Sequence, residues 1–271
     1  MPDASGSPPI KDVAAALQTA RWLSPIHILL TFRAPTIATH AVPGQFVHLR
    51  VTPVGTSPLL RRPFSIAGTN LADGTVRLLV RTIGRGTAML GELLLGAELP
   101  ALGPLGRGFP DVRPDREVVL VAGGVGVAPL LFYATAREHA RKVALYGAET
   151  QLALVLADEL AETCDRLLPA TDDGTLGHHG FVTDLLPTAL DDLRDPVVLA
   201  CGPRPMMAKT AEVCRRRAVE CHVSFEAWLG CGVGACLGCV IPAAGEPDRY
   251  VRVCRDGPVF DAEEIGWEAL R

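Results

Sequence analysis

Residues 117–130 read EVVLVAGGVGVAPL, an apolar run that ends in a glycine-rich turn. Such a continuous apolar run is typical of a strand buried on both faces of a parallel sheet. A buried strand, a glycine-rich turn and a helix together form a phosphate cradle of the kind that binds dinucleotides. The turn departs from the usual G-x-G-x-x-G spacing, so a plain strand–helix turn is the alternative. The candidate binding residues here are Gly123, Gly124, Gly126 and Pro129.

Downstream of this stretch, strands and helices alternate. Lys142–Tyr146 and Pro196–Ala200 have the composition of strands, and Pro205–Arg217 has that of a helix. This alternation predicts a parallel sheet of the doubly wound kind.

Upstream, from about Trp22 to Val112, the chain consists of short apolar runs separated by Gly and Pro. Three runs have strand-like composition: Ile26–Phe32, Gln45–Val51 and Val76–Arg81. Only Thr87–Leu95 has a helical pattern. The segment therefore predicts a small antiparallel barrel.

These changes of pattern divide the chain of 271 residues into four parts. We predict a disordered tail at 1–12, a barrel domain at 13–112, a doubly wound domain at 113–224 and a cysteine-rich domain at 225–271. The predicted fold class is β + α/β.

Charge and hydropathy exclude some functions. The net charge is −4 and no basic block is present, so nucleic acid is not an expected partner. The longest apolar stretch, Val118–Phe132, is shorter than the roughly 20 residues of a membrane helix. The N-terminal residues lack the charged start and apolar run of a signal peptide. We expect a cytoplasmic protein that does not bind a membrane.

Four of the eight cysteines lie within 24 residues near the C-terminus. They are Cys231, Cys236, Cys239 and Cys254, with four, two and fourteen residues between successive cysteines. This order matches the plant-type ferredoxin pattern, in which C-x4-C-x2-C is followed by a distant fourth cysteine. Structural zinc is the alternative, but zinc sites usually pair two C-x2-C units. The pattern favours a [2Fe–2S] cluster.

Two short motifs in the barrel segment resemble those of the ferredoxin–NADP reductase superfamily of flavoproteins. One is Arg61–Ile66 (RRPFSI), and the other is Leu79–Thr87, in which glycines precede a predicted helix. Glycines before a helix N-terminus form a natural phosphate site. The resemblance implies FAD, with Arg62 on the pyrophosphate, Phe64 on the isoalloxazine ring and Ser65 near its reactive nitrogen. The candidate FAD-binding residues are Arg62, Pro63, Phe64, Ser65, Leu79, Val80, Arg81, Gly86 and Thr87.

A second motif of the same superfamily follows the predicted strand Pro196–Ala200. The resemblance implies that Cys201, Gly202 and Pro203 form a turn beside the nicotinamide. A buried cysteine that serves only as a small apolar side chain is the alternative for Cys201. Glu149 follows the second strand, and its charge favours the ribose hydroxyls of NAD over the phosphate of NADP.

From about Trp22 to Phe260, the domain order and the motifs resemble the electron-transfer subunit of B-type dihydroorotate dehydrogenase. The most specific segments are Gly230–Cys239 (GCGVGACLGC) and Asp256–Phe260 (DGPVF). The resemblance implies a catalytic partner subunit that contains FMN, with two copies of each chain in a heterotetramer. Electrons from dihydroorotate would pass through the cluster and FAD to NAD⁺ in pyrimidine synthesis. The cofactors carry this chemistry, so we predict no catalytic acid–base residue.

Two alternatives remain open at the level of sequence. The chain could be a related electron-transfer subunit of a ferredoxin reductase, a sulfide dehydrogenase or a hydrogenase, since these share the domain order. It could also be a redox sensor without enzymatic activity, although intact flavin and nicotinamide motifs argue against this.

Overall fold

A computed structural model describes residues 11–52, 57–245 and 248–270 of the chain. Residues 1–10 of the predicted tail lie outside the described residues. Lys11 and Asp12, which we had assigned to the tail, instead begin the first strand. That strand pairs along its length with two others, so its backbone is ordered by hydrogen bonds.

Six antiparallel strands close into the predicted barrel in the order β1-β2-β5-β4-β3-β6. The strands are β1 (Lys11–Ser24), β2 (His27–Arg33), β3 (Phe46–Leu49), β4 (Arg62–Asn70), β5 (Thr75–Arg81) and β6 (Glu98–Leu105). Two short helices, α1 (Pro35–His40) and α2 (Arg85–Gly91), connect them. The helix expected at Thr87–Leu95 therefore begins two residues earlier and ends four residues earlier.

Side chains at alternate positions of the strands point inward and fill the barrel core. Along β6, buried and partly exposed residues alternate, and Leu99 and Ala101 lie in the same core as Leu17 of β1. On β3, Val47 and Leu49 join this core, whereas Phe46 belongs to a different cluster outside the barrel. The outer face of β3 is thus covered by another part of the molecule.

The second domain is built on a seven-stranded sheet in the order β10-β9-β8-β7-β11-β12-β15. Its strands are β7 (Glu117–Gly123), β8 (Arg141–Ala148), β9 (Arg166–Thr171), β10 (His178–His179), β11 (Pro196–Cys201), β12 (Glu220–Ser224) and β15 (Val259–Asp261). Its helices are α3 (Val127–Ala136), α4 (Ala157–Thr163), α5 (Leu186–Asp191) and α6 (Arg204–Arg217). All neighbouring pairs are parallel except β12 and β15. None of the helices in the described ranges is long and apolar enough to cross a membrane.

The chain reverses direction across the sheet between β7 and β11. From β7 it proceeds through β8 to β10 on one side, and it returns to β11 and β12 on the other. Ligands of doubly wound proteins bind at such a switch point, beyond the carboxyl ends of the strands. The turn after β7 and the turn after β11 both lie there, with Ala122 and Cys201 in register.

The cysteine-rich segment forms a loop, a two-stranded sheet of β13 (Val240–Pro242) and β14 (Tyr250–Arg252), and then β15. Strand β15 adds to the edge of the large sheet, antiparallel to β12. Phe260 on β15 packs edge-to-face with Phe225, at 6.2 Å between ring centroids. The segment is therefore joined to the nucleotide-binding sheet through β15.

Candidate functional site

The four cysteines of the predicted cluster are brought together in two pairs. The sulfur atoms of Cys239 and Cys254 lie 3.3 Å apart. Cys231 and Cys236 form the second pair, since their side chains interact directly. Cys239 and Cys254 are buried, whereas Cys236 is exposed. One pair thus faces the protein interior and the other faces outward.

Backbone N–H groups point at the sulfur atoms. Val233, Ala235 and Cys236 direct their N–H groups at the sulfur of Cys231, at 3.5, 3.3 and 3.4 Å. The N–H of Gly234 approaches the sulfur of Cys254 at 3.1 Å. N–H donors of this kind stabilise thiolates and tune the potential of a cluster that they surround.

These contacts give Cys231 and Cys254 opposite acidities. Burial raises the pKa of Cys231, but the N–H donors and the side chain of Cys236 outweigh it and lower this pKa to about 6. Burial and the neighbouring thiol of Cys239 raise the pKa of Cys254 to about 12. Cys231 is therefore a thiolate at neutral pH, whereas Cys254 keeps its proton until a cation binds.

Glycines allow the loop to curl around the sulfur atoms. A Cβ on Gly230 would lie 3.2 Å from the sulfur of Cys236, and one on Gly238 would lie 3.5 Å from it. Gly232 and Gly234 adopt positive φ values of 74° and 83°, which side chains disfavour. Backbone conformation therefore favours glycine at 232 and 234, and Gly230 leaves room for the sulfur of Cys236.

The paired arrangement suits the predicted cluster. A [2Fe–2S] cluster takes two cysteines at each iron, and this matches two thiol pairs with N–H donors around them. The residues present fit the cluster.

The flavin motif places Arg62 over the start of α2. A Cβ on Gly86 would lie 3.3 Å from Nε of Arg62, so Gly86 leaves room for the guanidinium to lie close to the helix start. The hydroxyl of Thr87 accepts the N–H groups of Ile83 and Gly84, at 3.0 and 3.2 Å, and fixes the turn. A guanidinium beside a helix N-terminus suits a pyrophosphate.

The remaining residues of the two flavin motifs have mixed exposure. Phe64 is 9% exposed and packs in the barrel core, so only a small part of it is open to a flavin. Pro63 and Ser65 are half-buried. Leu79 and Val80 are buried in β5. The exposed Arg81 at the end of β5 pairs with Glu149 across the domain boundary, at 3.4 Å. No observation tests the contact of these residues with FAD, which stays a prediction.

The two turns at the switch point are in direct contact. A Cβ on Gly126 would lie 2.1 Å from the carbonyl oxygen of Cys201. A Cβ on Gly202 would lie 2.9 Å from the backbone of Gly123. Gly124, by contrast, faces open space at a φ of 53°. The glycines thus join the turns into one surface and leave its outer side free for a nucleotide.

Cys201 is buried at the end of β11, and its chemistry follows from that position. Burial raises the pKa of its thiol above the usual range, and the nearby Glu226 raises it further. The thiol therefore stays protonated at neutral pH and does not act as a nucleophile. Pro203, at the start of α6, packs near Gly123.

One buried polar residue between the flavin strand and the cysteine loop was missed by the sequence reasoning. His48 on β3 is fully buried, and its strand position is opposite Pro63 of β4. Burial lowers the pKa of His48, and this effect outweighs the rise caused by the nearby peptide group of Cys231. No local signal marks this histidine, because its neighbour Gly232 is distant in the sequence.

The barrel, the switch-point turns and the paired cysteines define an iron–sulfur oxidoreductase of the ferredoxin–NADP reductase type. Residues 226–266 match the iron–sulfur cluster binding domain of dihydroorotate dehydrogenase B. Residues 120–212 match the oxidoreductase NAD-binding domain. Each match covers one of the sites described above.

The chain belongs to the family of electron-transfer subunits of NAD⁺-dependent dihydroorotate dehydrogenase B. It is 36% identical to the subunit of Desulforamulus reducens, over 91% of this chain and 95% of the relative. It is 39% identical to that of Geobacillus kaustophilus, over 87% of this chain and 91% of the relative.

This chain is similar to the solved structure of an NADH-dependent reduced ferredoxin–NADP oxidoreductase. The similarity covers 94% of this chain and 91% of the other chain. The TM-score is 0.84 and the identity is 30%. A ferredoxin–NADP⁺ reductase from Neisseria gonorrhoeae, solved with FAD and NADP, shares the fold at 19% identity and a TM-score of 0.63, over 76% of this chain and 91% of that chain.

The comparisons confirm the predicted family, fold class and role as an oxidoreductase subunit. They also confirm the predicted cluster-binding and NAD-binding domains, and FAD is consistent with the reductase fold. A subunit of this family acts with a catalytic subunit. The domain boundaries and the individual site residues stay predictions.

Proposed function

We propose that this chain transfers electrons from a dihydroorotate-oxidising subunit that contains FMN to NAD⁺, in pyrimidine synthesis. The observation that carries the proposal is the outward-facing thiol pair of Cys231 and Cys236, at the end of a chain that also has flavin and nicotinamide motifs. An exposed cluster edge is what a partner needs in order to deliver electrons. Relatives with 36% and 39% identity over most of the chain bear the corresponding name.

The residues of the chain have separate tasks in this proposal. The four cysteines hold the cluster, and the backbone N–H groups of residues 233–236 stabilise their charge. Arg62, Gly86 and Thr87 bind the pyrophosphate of FAD. When bound, the cluster passes single electrons, and the flavin combines them in pairs for transfer as hydride to NAD⁺.

The switch-point turns orient the nicotinamide. Gly123, Gly124 and Gly126 offer backbone N–H groups to the dinucleotide phosphates, and Cys201, Gly202 and Pro203 line the adjoining turn. The protonated thiol of Cys201 is buried and excludes water from this position. Glu149 at the end of β8 is placed to receive ribose hydroxyl groups, as expected for NAD.

The finer features of the assembly belong to the same proposal. Two copies of each chain form the complex, and the catalytic subunit contacts the cysteine loop. Trp228 is 92% exposed and Leu237 is 59% exposed, and both flank the outward cysteine pair. Exposed apolar side chains beside a site of electron entry are suitable contacts for a partner. A cytoplasmic location stays a prediction.

Reconstitution with the catalytic subunit tests the proposal. The two chains are co-expressed and purified, and NAD⁺ reduction by dihydroorotate is measured with and without this chain. We expect reduction only in the complex. If the catalytic subunit reduces NAD⁺ equally well alone, or if the chains do not associate, the proposal is wrong.

A cysteine variant of the same complex tests the order of the sites. Cys236→Ser should abolish transfer from dihydroorotate to NAD⁺, because Cys236 holds the outward edge of the cluster. Oxidation of NADH with an artificial dye needs only the flavin and nicotinamide sites and should largely remain. Loss of both activities with FAD still bound would contradict this order. Rapid NADH oxidation by the isolated chain would also exclude a pure redox sensor.

The structural similarity to the NADH-dependent reduced ferredoxin–NADP oxidoreductase supports a second candidate, a subunit that exchanges electrons with ferredoxin. The identity of 30% is below the 36–40% of the eight dihydroorotate dehydrogenase relatives, so we favour the first candidate. Reduced ferredoxin offered in place of the dihydroorotate-oxidising subunit distinguishes them.

A further inference from the structure

His48 lies at the contact between the barrel and the cysteine loop. It is located on β3, where Val47 and Leu49 face the barrel core. Because strand side chains alternate, His48 points to the outside of the barrel, as Phe46 does. Phe46 packs in the same cluster as Cys239 and Cys254. His48 nevertheless has no exposed surface, since the cysteine loop covers it.

The ring of His48 is in close contact with the backbone of Gly232. A Cβ on Gly232 would lie 2.6 Å from Nδ1 and 3.2 Å from Cγ of the imidazole. Gly232 also has a φ of 74°, so both the ring and the backbone conformation require glycine. The peptide group of Cys231 adjoins the ring as well. The loop and the imidazole therefore fit each other closely.

Neither ring nitrogen of His48 makes a hydrogen bond of good geometry among the described residues, although the peptide groups of Cys231 and Arg61 lie beside the ring. Most buried polar groups in proteins are paired, and an unpaired one calls for a specific explanation. An apolar side chain would fill the same space without this cost. A histidine here points instead to a polar contact with the adjoining peptide group of Cys231.

We infer that His48 is a positioning residue that holds the cysteine loop at Gly232 against strand β3. Gly232 links Cys231 to Val233, whose N–H points at the sulfur of Cys231. On the other side, β3 is hydrogen-bonded to β4, and His48 lies opposite Pro63 of the flavin motif. The imidazole thereby fixes both the N–H group that Val233 directs at the sulfur of Cys231 and the placement of the loop relative to strand β4.

This inference rests on the proposed function only in assigning a [2Fe–2S] cluster to the four cysteines. A wild-type complex without the cluster's electron paramagnetic resonance signal would refute that assignment. When the wild-type complex shows this signal, the results for the His48 variants test only the role of His48. The two proposals therefore fail in distinguishable ways.

The test compares three variants in the assembled complex with FAD and cluster. His48→Leu removes the polar ring, His48→Asn places an amide near the position of Nδ1, and His48→Gln places one near Nε2. The measurements are the resonance spectrum of the reduced cluster, its midpoint potential and the rate of electron transfer from cluster to FAD. His139→Leu is the control, since His139 also has an unpaired Nε2 among the described residues but stacks on Tyr133.

We expect His48→Leu to shift the spectrum and the potential and to slow the transfer roughly 10-fold, as for other groups that orient metal ligands. His48→Asn should keep the wild-type spectrum and potential, because Nδ1 is the atom that faces Gly232. His48→Gln should resemble the Leu variant. The control should match the wild type.

Unchanged spectrum, potential and rate in His48→Leu would overturn the inference, since His48 would then only fill space. If His48→Leu assembles no cluster, the comparison of His48→Asn with His48→Gln tests the inference instead. A wild-type spectrum in Asn with an altered one in Gln supports the inference. Equal behaviour of the two, or loss of the cluster in both, overturns the role assigned to Nδ1.

Discussion

At the scale of single residues, the two cysteine pairs differ in exposure, and one member of each differs from the other in acidity. Cys231 has a pKa lowered to about 6, because the N–H groups that point at its sulfur and the side chain of Cys236 outweigh burial. Cys254 has a pKa raised to about 12 by burial and by Cys239. A thiolate that forms at neutral pH would bind the first iron, and iron would then displace the proton of Cys254. Assembly of the cluster would thus begin at Cys231.

Alkylation of the cluster-free protein checks this difference. The thiolate is the reactive form, so Cys231 should react with iodoacetamide at a rate that rises through about pH 6 and is level above pH 7. Cys254 should stay unmodified up to the pH range near 12. Peptide mass spectrometry measures both sites, and the unfolded protein is the control in which all cysteines react. Equal rates at pH 7 in the folded protein would contradict the prediction.

The switch-point turns depend on one hydrogen atom at Gly126. An alanine there would place a methyl group 2.1 Å from the carbonyl oxygen of Cys201, so the turns must move apart. Overpacking costs about 1–3 kcal/mol, and each 1.4 kcal/mol is about tenfold in affinity. We expect Gly126→Ala to weaken NAD⁺ binding about tenfold or more, measured by titration, with FAD content unchanged.

Gly96→Ala is the matched control for this substitution. Gly96 has a φ of 84°, but a Cβ there meets no atom within 4 Å. The variant should lose some stability from backbone strain and keep its NAD⁺ affinity. An equal loss of affinity in both variants would show that general destabilisation, and not contact between the turns, is the cause.

At the scale of elements, the sequence predicted best those that are determined locally. The buried run at 117–122 appeared as β7 (Glu117–Gly123), because a parallel strand covered on both faces needs apolar residues throughout. The cysteine loop was predicted equally well, since the spacing of ligands along the chain is a local property. The strand β1 was missed over most of its length. Its sequence, KDVAAALQTARWLS, is rich in Ala and has no strand-like composition.

The missed elements share a physical cause, which is pairing with distant residues. Strand β1 exists because β2 and β6 hydrogen-bond to both of its edges, and tertiary pairing overrides propensity. Strand β15, which the sequence pattern does not predict, exists because it pairs with β12 of the nucleotide-binding sheet. His48 was missed for the same reason, because its neighbour Gly232 is far along the chain. No local pattern contains these contacts.

Phe260 tests whether β15 stabilises the cysteine-rich segment. It is 4% exposed and packs against Phe225. Truncation of a buried Phe to Ala costs about 3–5 kcal/mol. We expect Phe260→Ala to lower the free energy of unfolding by this amount and to release the cluster at a lower denaturant concentration than FAD. Cluster absorbance and flavin fluorescence follow the two events.

Val240→Ala is the control for Phe260→Ala. Val240 lies on β13 with 41% exposure, and surface substitutions of this kind usually change stability by no more than about 0.5 kcal/mol. Simultaneous loss of cluster and FAD in Phe260→Ala would contradict a local role for β15. It would indicate that the three parts of the chain unfold together.

At the scale of the whole molecule, the barrel and the nucleotide-binding sheet are joined by ion pairs. Glu159 on α4 accepts Arg21 of β1 at 3.0 Å and Arg77 of β5 at 2.6 Å. Arg81 and Glu149 form a further pair across this boundary. Such partly exposed pairs contribute little stability, about 0–1 kcal/mol each. They add directed contacts between the barrel strands β1 and β5 and the nucleotide-binding domain.

The cysteine loop contacts β3, whereas the ion pairs at this boundary involve β1 and β5. Strand β4, which carries the flavin motif, lies between β3 and β5. Its outward pair and the exposed Trp228 form a surface that no described residue covers. Exposed tryptophans are unusual on a surface without a partner, and Trp is enriched among residues that dominate binding energy at interfaces. The surface is therefore where we place the catalytic subunit.

Trp228→Ala tests this placement. Truncation of a central interface tryptophan typically costs about 2 kcal/mol or more, which is about a 30-fold rise in the dissociation constant. We expect weaker association with the catalytic subunit and a loss of dihydroorotate-dependent NAD⁺ reduction that excess partner restores. NADH oxidation with a dye should stay at the wild-type rate, because the flavin and nicotinamide sites are untouched.

Leu71→Ala, at 70% exposure in the turn between β4 and β5, is the control and should leave association unchanged. If Trp228→Ala binds the partner as tightly as the wild type, then Trp228 packs on the cysteine loop in solution and the catalytic subunit docks elsewhere.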